Sequence, residues 1–187
     1  MANPHCCLLL LDVQIASLRP PPHGIPASAT VGPNIDKVLQ LARSVTPAPT
    51  IVHVRNTGDC GDPDEPNTPG WQLATTPLAH EFVLDKRKNN AFIGTRLGDI
   101  IHPHAEIIVV GLHSDFSLRA TCSAALDRGN EVIVIRGAHG TFDRLEVLYG
   151  SGITPASKVA LEIEAELEEA GVHIFDMKDL TSIFKDR

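Results

Sequence analysis

EIIVVGLHSDFSLRATCSAALDR, residues 106 to 128, decides the fold. It opens on an apolar, β-branched run, Ile107-Ile108-Val109-Val110, turns at Gly111 and crosses a short polar loop. Leu118, Thr121, Cys122, Ala125 and Leu126 then recur at helical spacing. A strand that feeds a helix through a tight glycine turn sets the first helical residue above the strand's carboxyl end. Open α/β sheets bind their ligands there. The residue in that place is Ser117.

Upstream, Cys7–Leu11 is a continuous apolar run ending at Asp12, the pattern of a central parallel strand buried on both faces. Thr50–Val54, Glu81–Leu84, Val132–Ile135 and Val172–Phe175 read as further strands. Helices are expected over Val31–Val45, Leu97–Ile101, from the Ser117 turn to Gly129, and over Thr141–Leu148, Pro155–Ala170 and Leu180–Phe184. Pro155 suits a first turn, where its missing N–H has no partner to lose, and Gly171 suits a helix end. Alternating strands and helices predict one α/β domain over residues 1–187, with a mostly parallel sheet covered on both faces.

Two stretches resist periodic reading. Arg19–Ala29 holds Pro20-Pro21-Pro22 and reads as a loop near the mouth of the sheet. Arg55–His80 is rich in Pro and Gly; a loop that long inside a compact domain is commonly functional. Its Trp71, the only tryptophan, argues that the segment is packed as a pocket wall, a core plug or a subunit contact.

The chain has 187 residues with 16 basic and 23 acidic side chains, a formal charge of −7. No basic stripe forms, which argues against nucleic acid and anionic membrane as partners. No apolar run approaches the roughly 20 residues of a membrane span, and no basic segment precedes Leu8–Leu11, so neither a membrane anchor nor a signal peptide is expected. Cys6, Cys7, Cys60 and Cys122 lack metal or disulfide spacing, which suits a reducing, cytoplasmic location. Nucleotide fingerprints of the GxGxxG or GxxxxGKS type are absent.

Three strands end in polar groups able to converge: Asp12, Lys86 and Ser117. An unpaired carboxylate at the end of a buried strand is costly, and Lys86 is its natural partner. A purely structural account also fits, with Ser117 as a helix cap and Asp12–Lys86 as an ion pair. His53, His113 and His139 have no spacing that specifies a metal site, and no metal or other cofactor is expected.

At this point the chain resembles the isochorismatase-like superfamily, the cysteine hydrolases related to nicotinamidase, N-carbamoylsarcosine amidohydrolase and isochorismatase. LLLLDVQ (8–14), KRKNNAFIGTRL (86–97), VVGLHSDFSLRATCSAALDRGNEVIVI (109–135) and AHGTFD (138–143) carry the resemblance, in the right order over nearly the whole chain. It implies a six-stranded sheet of order 3-2-1-4-5-6 with catalytic Asp12 and Lys86. It also implies an oxyanion hole of the backbone N–H groups of His113 and Ser117, with a cis bond before His113. Gln14, Asn56, Trp71, Phe92, Leu112 and His139 are the expected substrate-binding residues, and a homodimer or larger homo-oligomer the expected assembly. The metal ligands of nicotinamidase are not evident in His53-Val54-Arg55-Asn56-Thr57.

The departures matter. The amidohydrolase members carry a cysteine nucleophile in G-x-x-T-D-x-C-V; here the stretch is Gly111-Leu112-His113-Ser114-Asp115-Phe116-Ser117-Leu118. Gly137 stands where many relatives have an aspartate. Cys122 does not substitute, since five helical residues turn it roughly 140° from the Ser117 face. The reading is a hydrolase of a C–N bond in a small amide or carbamoyl substrate, with Ser117 in the nucleophile's place, either as the nucleophile itself or as a replacement for a native cysteine. Two alternatives stay open. One is an isochorismatase-type vinyl-ether hydrolase with Asp12 as general acid. The other is a homologue that binds a small molecule without catalysis.

Overall fold

The computed structural model describes residues 3–147 and 152–184, with side chains from residue 5 onward. Six parallel strands form the central sheet: β1 (Asn3–Leu11), β2 (Pro49–Asn56), β3 (Phe82–Lys86), β4 (Glu106–Leu112), β5 (Glu131–Gly140) and, last in the chain, β8 (His173–Asp176). Their order is β3-β2-β1-β4-β5-β8, which is the expected 3-2-1-4-5-6 counted over the sheet's own strands. The short helix α1 (Ile15–Leu18) precedes α2 (Ser28–Ser44), and α3 (Leu97–Ile100), α4 (Arg119–Asp127), α5 (Ala156–Ala170) and α6 (Leu180–Ile183) follow. No helix among the described residues is long and apolar enough to cross a membrane.

The two-residue period of a strand sorts the core. In β1, Cys7, Leu9 and Leu11 face one apolar cluster with Cys122, Val159 and Leu167, while Cys6, Leu8 and Leu10 face the other with Ile35, Val38 and Leu39. Both faces of β1 are dry, so its sequence has to be an unbroken apolar run. The chain winds outward from β1 through β2 to β3, then restarts beside β1 with β4 and winds the other way. The gap between the carboxyl ends of β1 and β4 is the switch point of the fold.

One expected element is different. Thr141–Leu148 was read as a helix, but Arg144–Glu146 is a strand, β6, paired antiparallel with β7 (Gly152–Thr154); Leu148 lies outside the described residues. The apolar residues Leu145 and Val147 are both exposed, so they define no buried helical face. Glu146 instead joins the two strands by accepting from Thr154 Oγ1 at 2.7 Å and Arg144 Nε at 2.9 Å. Elsewhere the elements run longer than their apolar cores suggest: α2 begins at Ser28, β3 reaches Lys86 and β5 reaches Gly140.

Beneath β2 and β3 lies a buried polar knot. Glu81 takes Arg43 Nε at 2.7 Å, Arg43 Nη2 at 2.8 Å, His53 Nε2 at 2.8 Å and the Leu78 N–H at 3.0 Å. Burial pushes its carboxyl up, but these donors outweigh burial and hold it down at about 2. A depressed carboxylate stabilises the fold above its unfolded pKa and loses that contribution as pH falls through the folded one. Glu81→Gln is expected to lower unfolding free energy by about 2–4 kcal/mol at neutral pH in urea titrations. The gap to the native chain should close as pH falls from about 4.5 toward 2; a gap that does not depend on pH would contradict the assignment.

Candidate active site

Parallel pairing puts every strand's carboxyl end on one edge of the sheet. Leu11 lies opposite both Val54 and Gly111, and Asn56 lies opposite Lys86. Asp12 leaves β1 with φ 51°, a left-handed conformation that aspartate tolerates better than most residues. Its N–H still donates to Val54 O at 2.8 Å. Beside it Gly111 has φ +124°, and a Cβ there would stand 2.0 Å from Leu11 O. Only glycine lets β4 approach β1 this closely. Lys86 points inward because Leu84 and Lys86 share the buried side of β3 while Asp85 faces out.

After β4 the Leu112–His113 peptide is cis and Ser114–Leu118 forms a π-helical turn leading into α4. Ser117 sits inside this widened turn, four residues past the cap position at His113, so its hydroxyl is not the helix cap. Two side-chain bonds tie the turn to β5 and the residue after it: Ser114 Oγ with His139 Nδ1 at 2.9 Å, and Thr141 Oγ1 donating to Asp115.

The three strand-end groups meet. Ser117 Oγ donates to Asp12 Oδ2 at 2.5 Å. Lys86 Nζ lies 2.8 Å from Asp12 Oδ2, 2.9 Å from Ser117 Oγ and 3.2 Å from Asn56 Oδ1. An ammonium has three N–H groups, and these are three acceptors. Asp12, Lys86 and Ser117 are 5%, 2% and 4% exposed. Burial pushes the Asp12 carboxyl above its ordinary value, against the opposing pull of Lys86 and the Ser117 hydrogen bond. Asp12 Oδ1 is buried without a hydrogen-bond partner.

Asp12 and Ser117 border a cavity of about 110 Å³, lined also by Gln14, Ser17, Asn56, Asp64, Asn89, His113 and Phe116. Burial lowers the His113 pKa, so its imidazole is neutral near pH 7, and its Nε2 is buried without a partner. The arrangement supplies a hydroxyl on a proton acceptor, a cation shared by both, and a neutral ring on the same cavity.

The Isochorismatase domain matches residues 6–149. The chain belongs to the isochorismatase family. A streptothricin hydrolase of Streptomyces noursei is 33% identical over 150 residues, which make up 75% of this chain and 56% of that protein. The chain spans about half the length of the curated relatives it matches. An isochorismatase of Pseudomonas putida superposes with a TM-score of 0.83 at 26% identity, covering 96% of this chain and 91% of that one. A cysteine hydrolase of Pseudomonas syringae superposes at 0.84 with 17% identity, covering 98% and 94%, a likeness of fold.

Of the family residues expected to contact substrate, Gln14 and Asn56 line the cavity. Four others do not. Leu112 packs on the α2 side of the sheet, because the β4 alternation turns it there. Phe92 packs on the opposite apolar cluster with the Arg128 guanidinium 4.7 Å from its ring centroid. Trp71 lies under the Arg55 guanidinium, 3.3 Å away, and borders a separate hollow with Lys86 and Arg87. His139 bridges Ser114 and Glu164, with Nε2 3.1 Å from Glu164 Oε1. Asp64, Ser17, Asn89 and Phe116, which sequence reading passed over, line the cavity. Cys122 is fully buried in the core and burial pushes its thiol up, so it offers no alternative nucleophile.

Removing the cation should expose the charge balance. Lys86→Met leaves Asp12 buried without a counter-ion and is expected to cost about 3 kcal/mol near pH 7. The deficit should shrink as pH falls and Asp12 takes up a proton, and largely vanish in Asp12→Asn/Lys86→Met. Urea unfolding of the native chain and the two variants, at neutral and at acidic pH, measures this. A deficit equal in the single and double variants would show that the ion pair does not carry it.

Proposed function

We propose that the protein hydrolyses a C–N bond in a small amide or carbamoyl compound, using Asp12, Lys86 and Ser117. The supporting observation is the 2.5 Å bond from Ser117 Oγ to Asp12 Oδ2, with Lys86 Nζ in contact with both. Serine is a weak nucleophile unless an adjacent base takes its proton. In this reading Asp12 removes that proton as Oγ attacks the carbonyl carbon. The backbone N–H groups of His113 and Ser117 receive the oxyanion. Asp12 then returns the proton to the leaving nitrogen as the C–N bond breaks. Water, deprotonated by Asp12, attacks the carbonyl carbon of the resulting serine ester, and Asp12 returns that proton to Ser117 Oγ as the acyl–oxygen bond breaks and the acid leaves. Lys86 holds the carboxylate and the hydroxyl in register throughout. Gln14 and Asn56 bind the substrate's polar end. Trp71, Phe92, Leu112 and His139 act at one remove, by packing against or tethering the segments that frame the cavity.

A second reading is favoured by one observation. The raised pKa of Asp12 favours its proton-carrying form, as the acid of a vinyl-ether hydrolysis would require. There Asp12 protonates the vinyl carbon, water adds to the neighbouring carbon, and the products are a carbonyl compound and an alcohol. Product analysis separates the two, because only the first releases an amine or ammonia.

Assembly follows the same reading. The exposed Leu145, Val147 and Ile153 of the β6–β7 hairpin offer an apolar strip to a second copy. The buried, unbridged Cys6, Cys7 and Cys122 suit the cytoplasm.

The test is turnover of a panel of small amides, carbamoyl compounds and streptothricin. Ser117→Ala and Asp12→Asn should each lose at least about 10³-fold in kcat/KM with folding retained, and Ser117→Cys should keep or raise amide turnover. Full activity in Asp12→Asn defeats the mechanism. A separate expectation concerns pH. Asp12 acts as a base in its ionised form, so its raised pKa moves the acid limb of kcat/KM above the ordinary carboxylate value of about 4. A limb at or below that value would rule out Asp12 as the titrating base.

A further inference from the structure

The charge around the cavity identifies which amides fit it; this inference rests on the reading that the cavity holds the substrate. Two carboxylates line it, Asp12 and Asp64. Asp12 is neutralised by Lys86 at 2.8 Å, and that ammonium has no N–H left for another acid. His113 is neutral. Asp64 accepts from Asn56 Nδ2 at 2.7 Å and has no basic partner among the described residues. The nearest part of the loop adds more negative charge. Asp62 accepts from the Asp59 N–H at 2.8 Å and Glu65 from the Gly61 N–H at 2.9 Å, while Arg87 reaches only Asp59, at 3.6 Å. Arg55, the other nearby base, is taken by Asp85 and Trp71.

The lining therefore holds one carboxylate without a basic partner, Asp64, on a loop that carries further acidic residues. A further acceptor, Asp12 Oδ1, is buried and unpartnered in the same residue set. An anionic compound would lose its hydration and meet like charge, whereas a cationic one would gain a counter-ion. The enclosed volume of about 110 Å³ is below the range typical of drug-sized sites, so it takes only the reacting end of a molecule. Phe116, exposed at the rim, leaves the remainder outside.

We propose that the substrate carries an ammonium or similar cationic group close to its scissile amide or carbamoyl bond, and that Asp64 is the counter-charge that binds it. Asp64 is a specificity residue for this site. It also holds Asn56, which holds Lys86, so a structural role has to be separated from recognition. A structural loss lowers every substrate alike; recognition changes the ratio between substrates that differ only in charge.

Glycinamide, glycolamide and malonamate provide that comparison, as cationic, neutral and anionic small amides. Turnover and equilibrium binding of each are measured at pH 7 with the native chain, Asp64→Asn and Asp64→Ala. The native chain should favour glycinamide over glycolamide by about fivefold or more, with malonamate weakest. Both variants should bring the first pair within about twofold while the rank of the neutral amide rises. A preference that survives in Asp64→Asn and Asp64→Ala overturns the proposal, and so does a native chain with no preference in either measurement. If no probe is turned over but binding keeps the charge preference and loses it in the variants, the hydrolase reading fails and this one stands.

Discussion

A lysine ammonium buried among three acceptors organises this protein. Lys86 Nζ reaches Asp12 Oδ2, Ser117 Oγ and Asn56 Oδ1, which lie directly after β1, in the turn after β4 and at the end of β2. Each acceptor alone would be a poor reason to bury a cation. Together they satisfy its three N–H groups, and this makes the buried charge tolerable. The same contact fixes three separate strand ends relative to one another to within hydrogen-bonding tolerance. A parallel sheet brings these ends to one edge, but its backbone alone does not set side-chain distances to tenths of an ångström. The ion pair does that, and the reactive geometry of Ser117 is a consequence of it.

That arrangement also explains why a serine can be poised where the resemblance implies a cysteine. A thiol ionises readily, and a nearby cation suffices to make it a nucleophile. A hydroxyl needs a base in direct contact. Asp12 Oδ2 is that contact, at 2.5 Å, and Lys86 pulls its carboxyl down against the burial that raises it. The opposing pulls on Asp12, burial upward and Lys86 downward, leave a group able to take a proton and to return it.

Much of the fold was legible because its strands are buried on both faces. An unbroken run such as Leu8–Leu11 allows few alternatives, and Asp12 directly after it signals a strand end with a chemical purpose. Lys86 was legible as a charge at a strand end able to pair with Asp12 and through the family resemblance, and the structure turns it inward with Leu84. The pairing of β6 with β7 was not, because Glu146 holds Arg144 in its own strand and Thr154 across the pair, polar contacts that leave no apolar period. His139 was hidden by the extent of β5. The apolar run ends at Ile135, but pairing continues until His139 lies opposite Gly111, and the ring then turns to Ser114 and Glu164 rather than to the cavity. Asp64 had no signal, since it lies in an aperiodic loop whose course is set by the groups it meets.

Gln14 ties that loop to the strand ends beside the cavity. Its amide oxygen accepts from the Asn56 N–H at 2.8 Å, and its amide nitrogen donates to Asn56 O at 3.1 Å and Trp71 O at 3.0 Å. One buried side chain thus joins the end of β1, the end of β2 and the far limb of the loop. Asn56, held by its backbone, spends its own side chain on Lys86 and Asp64. A continuous chain of hydrogen bonds therefore runs from Trp71 through Gln14 and Asn56 to the ion pair on one side and to the acidic loop on the other. Every member is a neutral amide except its ends, so the chain transmits position without moving charge. The Asp12–Lys86–Ser117 contact and the acidic loop are in this way built on the same two side chains, Gln14 and Asn56.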